Sequence, residues 1–328
     1  MQAVACFRYG PPEVLKVEEV ARPTPKADEV LVRVRASTVT SGDVRMRAFT
    51  GAGIFWLPIR LLFGVLRPRN PITGMEFAGS IAAVGDGASG FSVGDAVFGM
   101  KIGGANAEFL TIRETAAIAA RPEGLTFGEA AAIPFGALSA LAFLRDFVRI
   151  KPGQKILIHG ASGAVGVFAL QLAKHFGAHV TAVCSAANVE LVASLGADRV
   201  IDYAKVDFTQ GSDVYDAILD TVGGSSFSRS KRVLAPQGRH VFIVQELTQL
   251  LQALWTAMRP GKRVVVGFSS GDSQEDLVLI KRLIEAGAIR PVIDRTYTLD
   301  DIVEAHRYVD SGRKRGAVIV YMGRALAA

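Results

Sequence analysis

Ala161, Gly163 and Gly166, three small residues at a fixed spacing in ILIHGASGAVG (156–166), carry the strongest chemical signal in the chain. A-x-G-x-x-G between an apolar strand and a helix is a phosphate-binding turn. The first small residue permits a tight turn, and Gly163 lets the main chain approach a pyrophosphate. Gly166 lets helix and strand pack closely. Ser162, Ala164 and Val165 complete the turn, and free N–H groups at the helix start face the anion. A merely structural glycine turn is the alternative. The flanking strand, the helix and a second strand at a suitable distance argue against it.

The end of that second strand says which dinucleotide is expected. An NAD-preferring fold carries Asp or Glu about 20 residues beyond the glycines, bonded to the adenosine ribose hydroxyls. Here AVCSAAN (182–188) offers Ser185 and Asn188, with no acid before Glu190. No carboxylate repels a 2′-phosphate, so NADPH is favoured over NADH. No Lys or Arg lies in 180–190, so His179, Ser185, Asn188 and Tyr203 are expected to share that phosphate.

Two kinds of element must position these residues. Up to about residue 120 the chain reads as short strands and turns. EVLVRVRAS (29–37) sets Val30, Val32 and Val34 on one face against Arg33 and Arg35 on the other. FAGSIAAVG (77–85) and DAVFGM (95–100) continue this β-barrel-like vocabulary. Beyond Arg121-Pro122, the strands KILIH, HVTAVC, RVID, YDAILD, RHVFIV and RVVVGF alternate with helices. That order predicts an α/β domain with a doubly wound parallel sheet. The helix behind the glycine turn carries Val165, Ala169, Leu172, Ala173 and Phe176 on one stripe.

Composition narrows the class. The 328 residues are half hydrophobic and one fifth charged, with two cysteines, Cys6 and Cys184. Two cysteines supply neither a disulfide framework nor a four-sulfur zinc site, and they fit a reducing compartment. The first residues lack the pattern of a signal peptide, so a cytoplasmic protein is expected. Net charge is +6, with small clusters at 45–47, 67–69 and 313–315. Scattered basic residues read as solvated faces, and no nucleic-acid partner is expected. GIFWLPIRLLFGVL (53–66) is shorter than the ~20 residues of a membrane span, and Pro58 and Arg60 interrupt it. No stable membrane insertion is expected.

The chain resembles the zinc-free, quinone oxidoreductase-like branch of the medium-chain dehydrogenase/reductase superfamily along almost its whole length. FRYGPPEVL, VGDGASGFSVGDAVFG (84–99), AAAIPFGALSAL (130–141), HGASGAVG, SLGADRVIDY (194–203) and EAHRYVDSGRKRGAVIV carry the likeness in order. The resemblance implies a GroES-like catalytic domain, here 1–120 with 271–328, split around a Rossmann domain, 121–270. It also implies homodimers joined through the edges of the Rossmann sheets.

The departures from the family's zinc enzymes bear on mechanism. Those enzymes place a cysteine where TSGD (40–43) has Thr40, and a histidine where GMEFAG (74–79) has Met75. Hydroxyl and thioether do not replace thiolate and imidazole on Zn²⁺. No metal is expected, and zinc-dependent alcohol oxidation is the reading that metal analysis would have to rescue. Without a Lewis acid, an isolated ketone is a difficult hydride acceptor. A quinone or α,β-unsaturated carbonyl spreads the charge by conjugation, so hydrogen bonds and fixed dipoles suffice.

Family positions nominate the site residues. Thr40 would donate to the substrate oxygen or the nicotinamide ribose, or is an ordinary turn threonine. Tyr9 would line the site as a phenol donor. Asp43 reads as a helix cap, Lys314 as a solvated lysine, and Ser139 as a cofactor contact or a packing residue. Val222 and Gly223 are expected to approach the nicotinamide ribose through the main chain, with Val244, Gly267 and Phe268 as further neighbours. The 53–66 stretch is a buried segment, an apolar lid over the substrate site, or an interfacial membrane contact. The overall expectation is an NADPH-dependent quinone or enone reductase. The alternative is an NADPH-binding sensor or interaction protein without turnover, motivated by the lack of a decisive acid or base.

Overall fold

The structure is a computed structural model and describes residues 1–50, 60–61, 63–267, 269, 271 and 273–323. The chain divides into two compact units. The first comprises Met1–Phe135, Ser270–Gly287 and Pro291–Ala328; the second comprises Gly136–Ser269 and Ala288–Arg290.

In the first unit, β1 (Gln2–Cys6) and β2 (Leu15–Glu19) form an antiparallel pair. β3 (Glu29–Thr38) pairs antiparallel with β4 (Glu76–Val84), β6 (Phe109–Arg113) and β15 (Ala317–Tyr321). β5 (Ala96–Met100), β7 (Ile118–Ala120) and β14 (Ile293–Thr298) extend the same sheet. The alternation read from EVLVRVRAS is realised: Val30, Val32 and Val34 are buried, while Arg33 and Arg35 face water. They pack with Phe77, Ile81, Val97, Leu110 and Ile118. Each such side chain contributes ~1.5–3 kcal/mol when fully buried. A second core joins Val4, Leu15 and Val39 to Val318, Val320 and the apolar face of the helix Ile302–Asp310.

The second unit holds a parallel six-stranded sheet: β10 (Arg199–Asp202), β9 (His179–Cys184), β8 (Lys155–His159), β11 (Tyr215–Asp220), β12 (Leu234–Phe242) and β13 (Arg263–Val266), in that order. Ile156, Leu157 and Ile158 are fully buried, as expected of a strand covered on both faces. The strand order reverses between β8 and β11. At such a switch point the C-terminal strand ends diverge and leave a crevice for a nucleotide.

The first passage out of unit 1 falls at Phe135–Gly136, beyond the Arg121-Pro122 break read from the sequence. Well beyond α1 (Ser41–Ala48), the helix α2 (Phe127–Ala131) packs on β3 and β4, and Glu76 accepts the Phe135 N–H at 2.6 Å. Those contacts hold the chain in unit 1 until α3 (Pro134–Ala142) carries it away. Residues 288–290 return to unit 2 for an equally local reason. Gln171 of α4 (Ala164–His175) donates its amide to the Arg290 carbonyl at 3.1 Å and accepts the Arg290 N–H at 2.9 Å. Phe127–Val148 is long and apolar enough to cross a bilayer by length and composition, yet 72% of its apolar 18-residue window is buried inside the protein.

Candidate functional site

The nucleotide turn follows β8. Gly160 sits at φ +79°, and a Cβ there would meet the Thr221 hydroxyl oxygen at 2.6 Å. It is therefore the residue that makes the reversal possible, one place before the motif as read from Ala161. The signal was present as the first glycine of GASGAVG. Ala161 is fully buried, with its N–H on the Val183 carbonyl at 3.1 Å. Gly163 caps α4 without a side chain, and a Cβ there would meet only the Gly160 carbonyl, at 3.5 Å. The space in front of it is open. The N–H groups of Ala164, Val165 and Gly166 have no preceding turn to bond, which suits a pyrophosphate. At Gly166 a Cβ would lie 2.2 Å from the Gly160 carbonyl oxygen, so only glycine fits.

Asn188 organises the adenosine end. Its amide nitrogen donates to Ser162 Oγ at 3.0 Å and to Ser185 Oγ at 3.2 Å. Each serine accepts in that bond and keeps its hydroxyl hydrogen for an anion. Tyr203 is 60% exposed beside them, its N–H on the Cys184 carbonyl. His179 does not join this group. It opens β9, whereas Ser185 follows the other end, roughly 20 Å away at 3.3 Å per residue. The sequence reading also missed Lys205, exposed in the turn after β10 and 3.9 Å from Asp202, the residue in register with Cys184. Counting from the end of β10 as well as β9 would have found it.

At the end of β11, Asp220 is fully buried and gathers the following turn. Its Oδ1 accepts the N–H of Val222 at 3.0 Å and of Gly223 at 2.8 Å, and its Oδ2 accepts the Ser225 N–H at 2.8 Å. His159 Nδ1 lies 3.2 Å from Oδ1. Burial alone would raise this carboxyl, but His159 and Ser225 together hold it below the usual carboxylate range. The Val222 and Gly223 N–H groups are thus already used, which leaves their carbonyls for a ribose. Gly223, at φ +79°, packs against Val244. Gly267 follows β13, where a Cβ would strike the Phe147 ring, and its carbonyl accepts from the Gln245 amide. Phe268 lies outside the described residues. Ser139 is half-buried on α3, one turn beyond Gly136, which lies against the start of α4.

Unit 1 contributes a separate feature, a cavity of about 350 Å³ walled by Tyr9, Phe49, Phe63, Ile72, Met75 and Ile102, among others. The sequence around it closes the donors nominated earlier. Tyr9 lines the cavity, but its hydroxyl hydrogen goes to the Gly64 carbonyl at 2.9 Å. It offers a ring in place of the expected phenol donor. Thr40 is 2% exposed, caps α1, and donates to Asp43 Oδ2 at 2.6 Å. Its hydrogen is spent as well. Burial raises Asp43 to about 6 against the Thr40 bonds that oppose it. Burial likewise raises Glu76 to about 7, with Thr38 and Phe135 as its partners. Lys314, expected in solvent, is half-buried and donates to the Gly316 carbonyl at 3.0 Å. Burial lowers it to about 8, while Glu76, Asp294 and Asp43 pull the other way. Of the 53–66 stretch, residues 53–59 and 62 lie outside the described residues.

The two positions vacated by metal ligands touch each other. Thr40 Oγ1 stands 3.8 Å from the Met75 sulfur, and a Cβ on Gly42 would come within 2.9 Å of that sulfur. A hydroxyl already bonded to Asp43 and a thioether make a donor set that does not fit Zn²⁺. No group of three His, Cys, Asp or Glu side chains suited to a metal occurs among the described residues.

Comparison with known proteins agrees with this architecture. The model of the alcohol dehydrogenase GroES-like domain matches residues 26–145, and that of the zinc-binding dehydrogenases matches 195–320. The 2-methylene-furan-3-one reductase of Solanum lycopersicum is 32% identical over 98% of this chain and 79% of its own. The quinone oxidoreductase of Homo sapiens is 30% identical over 95% and 94%. The solved quinone oxidoreductase from Coxiella burnetii superposes with a TM-score of 0.86 at 26% identity, covering 98% of this chain and 99% of that one. With its glycine turn, GroES-like sheet and zinc-ligand positions held by Thr40 and Met75, the chain belongs to the zinc-free quinone oxidoreductase-like branch of the medium-chain dehydrogenase/reductase superfamily.

Proposed function

We propose that this protein reduces a quinone or an α,β-unsaturated carbonyl with NADPH, without a metal. The observation that carries the reading is Met75 against Thr40, beside an apolar aromatic cavity: the place of a Lewis acid is filled by side chains that cannot act as one. NADPH, when bound, supplies the hydride. The turn from Gly160 to Gly166 would hold its pyrophosphate, and Ser162 and Ser185, turned outward by Asn188, would meet the 2′-phosphate. Conjugation in the acceptor disperses the charge that arrives with the hydride, and one proton from water completes the product. Conjugated carbonyls in the names of both relatives support the substrate class. The test is NADPH consumption against a panel of quinones and enals, with NADH in parallel and a chelator present. Zinc-dependent turnover, or none with conjugated acceptors, would overturn it.

A second reading rests on the spent hydroxyl hydrogens of Tyr9 and Thr40, which leave the cavity without the donors expected there. On that reading the protein binds NADPH as a sensor. Tight NADPH binding by fluorescence, with no oxidation over the whole panel, would favour it.

The same proposal includes a homodimer. The helix Leu247–Ala257 exposes Leu251, Leu254 and Trp255, with Met258 just beyond, and it packs on the edge strand β13. An apolar face beside a strand that forms the sheet edge among the described residues is a site for a second copy. Light scattering should give twice the chain mass, and Leu254→Lys should halve it. Buried, unpaired Cys6 and Cys184 support a cytoplasmic location, and the burial of Phe127–Val148 supports a chain that is not inserted in a membrane.

A further inference from the structure

From Val44 to Met75 the chain has five arginines, Arg45, Arg47, Arg60, Arg67 and Arg69, and no Asp or Glu. Much of the cavity wall in unit 1 comes from this segment. An apolar cavity built beside unbalanced positive charge raises the question of where each charge is compensated.

Arg47 is settled within the protein. It is buried, pairs with Asp310 at 2.8 Å, and donates to the Gly10 carbonyl at 3.1 Å. Arg60 lies over the rings of Tyr9 and Phe49, 4.1 and 4.4 Å from their centroids, and donates to the Val65 carbonyl, so its charge is engaged there. Arg69 lines the cavity, but it is exposed and its guanidinium is held by the Leu61 carbonyl at 2.8 Å. Arg45 also lines the cavity, and among the described residues no carboxylate pairs with it. The one carboxylate in the wall, Asp43, is taken up by the Thr40 N–H at 2.8 Å and the Thr40 hydroxyl at 2.6 Å. Arg45 stays exposed to water although it lines the cavity, and partial desolvation lowers its pKa.

We infer that the cavity selects acceptors bearing an anionic group, a carboxylate or a phosphate, and that Arg45 is the residue that recognises it. The inference rests on the proposed reductase reading and names the substrate class of that site. A guanidinium presents a planar fork that matches a carboxylate or phosphate in two parallel bonds, and one that is exposed and has no carboxylate partner among the described residues is free to meet an anion. Tyr9, Phe49, Phe63, Ile72 and Ile102 then accommodate the conjugated, apolar remainder. About 350 Å³ lies at the small end of ligand sites, suited to one or two rings or a short chain.

Matched acceptors test this. 4-Carboxycinnamaldehyde and its methyl ester share shape and conjugation and differ in charge. In the NADPH-loaded protein at low salt, the acid is expected to exceed the ester in kcat/KM by about tenfold, mainly through KM, with the ratio falling as salt rises. Arg45→Gln should bring the ratio to about one, and Arg45→Lys should restore part of it. Arg113→Gln, at an exposed arginine of β6, should keep it. Binding of acid and ester to the NADP⁺-loaded protein, measured by calorimetry, reads the same discrimination without turnover. Binding that favours the acid while neither compound is reduced would sink the reductase reading and keep the anion site. Equal binding of the two, or a preference that survives Arg45→Gln in a folded variant, would overturn the inference.

Discussion

Oγ1 of Thr40 lies 2.6 Å from Oδ2 of Asp43 and 3.0 Å from the Asp43 main-chain nitrogen, while the same carboxylate accepts the Thr40 N–H at 2.8 Å. This reciprocal cap starts α1 and uses the one hydrogen that Thr40 could have offered a substrate. Thr40→Val should therefore cost ~1–2 kcal/mol of stability, and Thr40→Ser only a few tenths, in urea unfolding monitored by circular dichroism.

Asn188 holds Ser162 and Ser185 as outward donors where an acid would exclude a 2′-phosphate. Ser185→Asp is expected to lower kcat/KM for NADPH by about tenfold or more, equivalent to ~1.4 kcal/mol, while NADH is spared. Asn188→Leu should weaken NADPH less, by about threefold, because both hydroxyls remain but lose their orientation. Parallel steady-state kinetics with the two nucleotides reads both effects.

Gly163 and Gly166 separate two roles of one motif. A Cβ at 163 enters open space, so Gly163→Ala should fold normally and lose NADPH affinity, because the methyl occupies the pyrophosphate's approach. At 166 the Cβ would collide with the Gly160 carbonyl, so Gly166→Ala should lower both melting temperature and affinity. Thermal shift with and without NADPH distinguishes the two variants.

The pH dependence of stability should carry the mark of His240. Ser225 Oγ donates to Asp220, so His240 Nε2–H donates to Ser225 Oγ at 2.9 Å, and the buried Nδ1 has no partner. Burial holds the imidazole at about 4, below its ordinary 6.5. The unfolded chain therefore takes up this proton first. The contribution is complete above pH 6.5 and is lost as pH falls toward 4, by an amount on the order of 2–3 kcal/mol. His306, held at about 3 by burial beside Arg47, acts in the same direction over a wider window. Melting temperatures of the wild type should fall from pH 6.5 to 4, and His240→Gln should flatten part of that fall.

Local features were legible in the sequence because they arise from neighbours along the chain. Alternation over 29–37 marks β3, GASGAVG announces the turn after β8, and the missing acid at Ser185 points to NADPH. Partners far apart in sequence were not legible. Tyr9 gives its hydrogen to a carbonyl 55 residues away, and Gln171 captures Arg290 across 119 residues. His179 and Ser185 are close in number yet stand at opposite ends of one strand. Lys314 read as solvated because nothing adjacent to it reveals Glu76, Asp294 and Asp43.

By itself, the sequence determined the two kinds of sheet, the nucleotide turn and the loss of the zinc ligands, because periodicity, glycine placement and residue chemistry are local properties. The tertiary structure alone decided which donors remain free. Hydrogen bonds satisfied inside the fold spend Tyr9, Thr40 and the N–H groups of Val222 and Gly223, and leave Arg45 facing the cavity without a counter-charge.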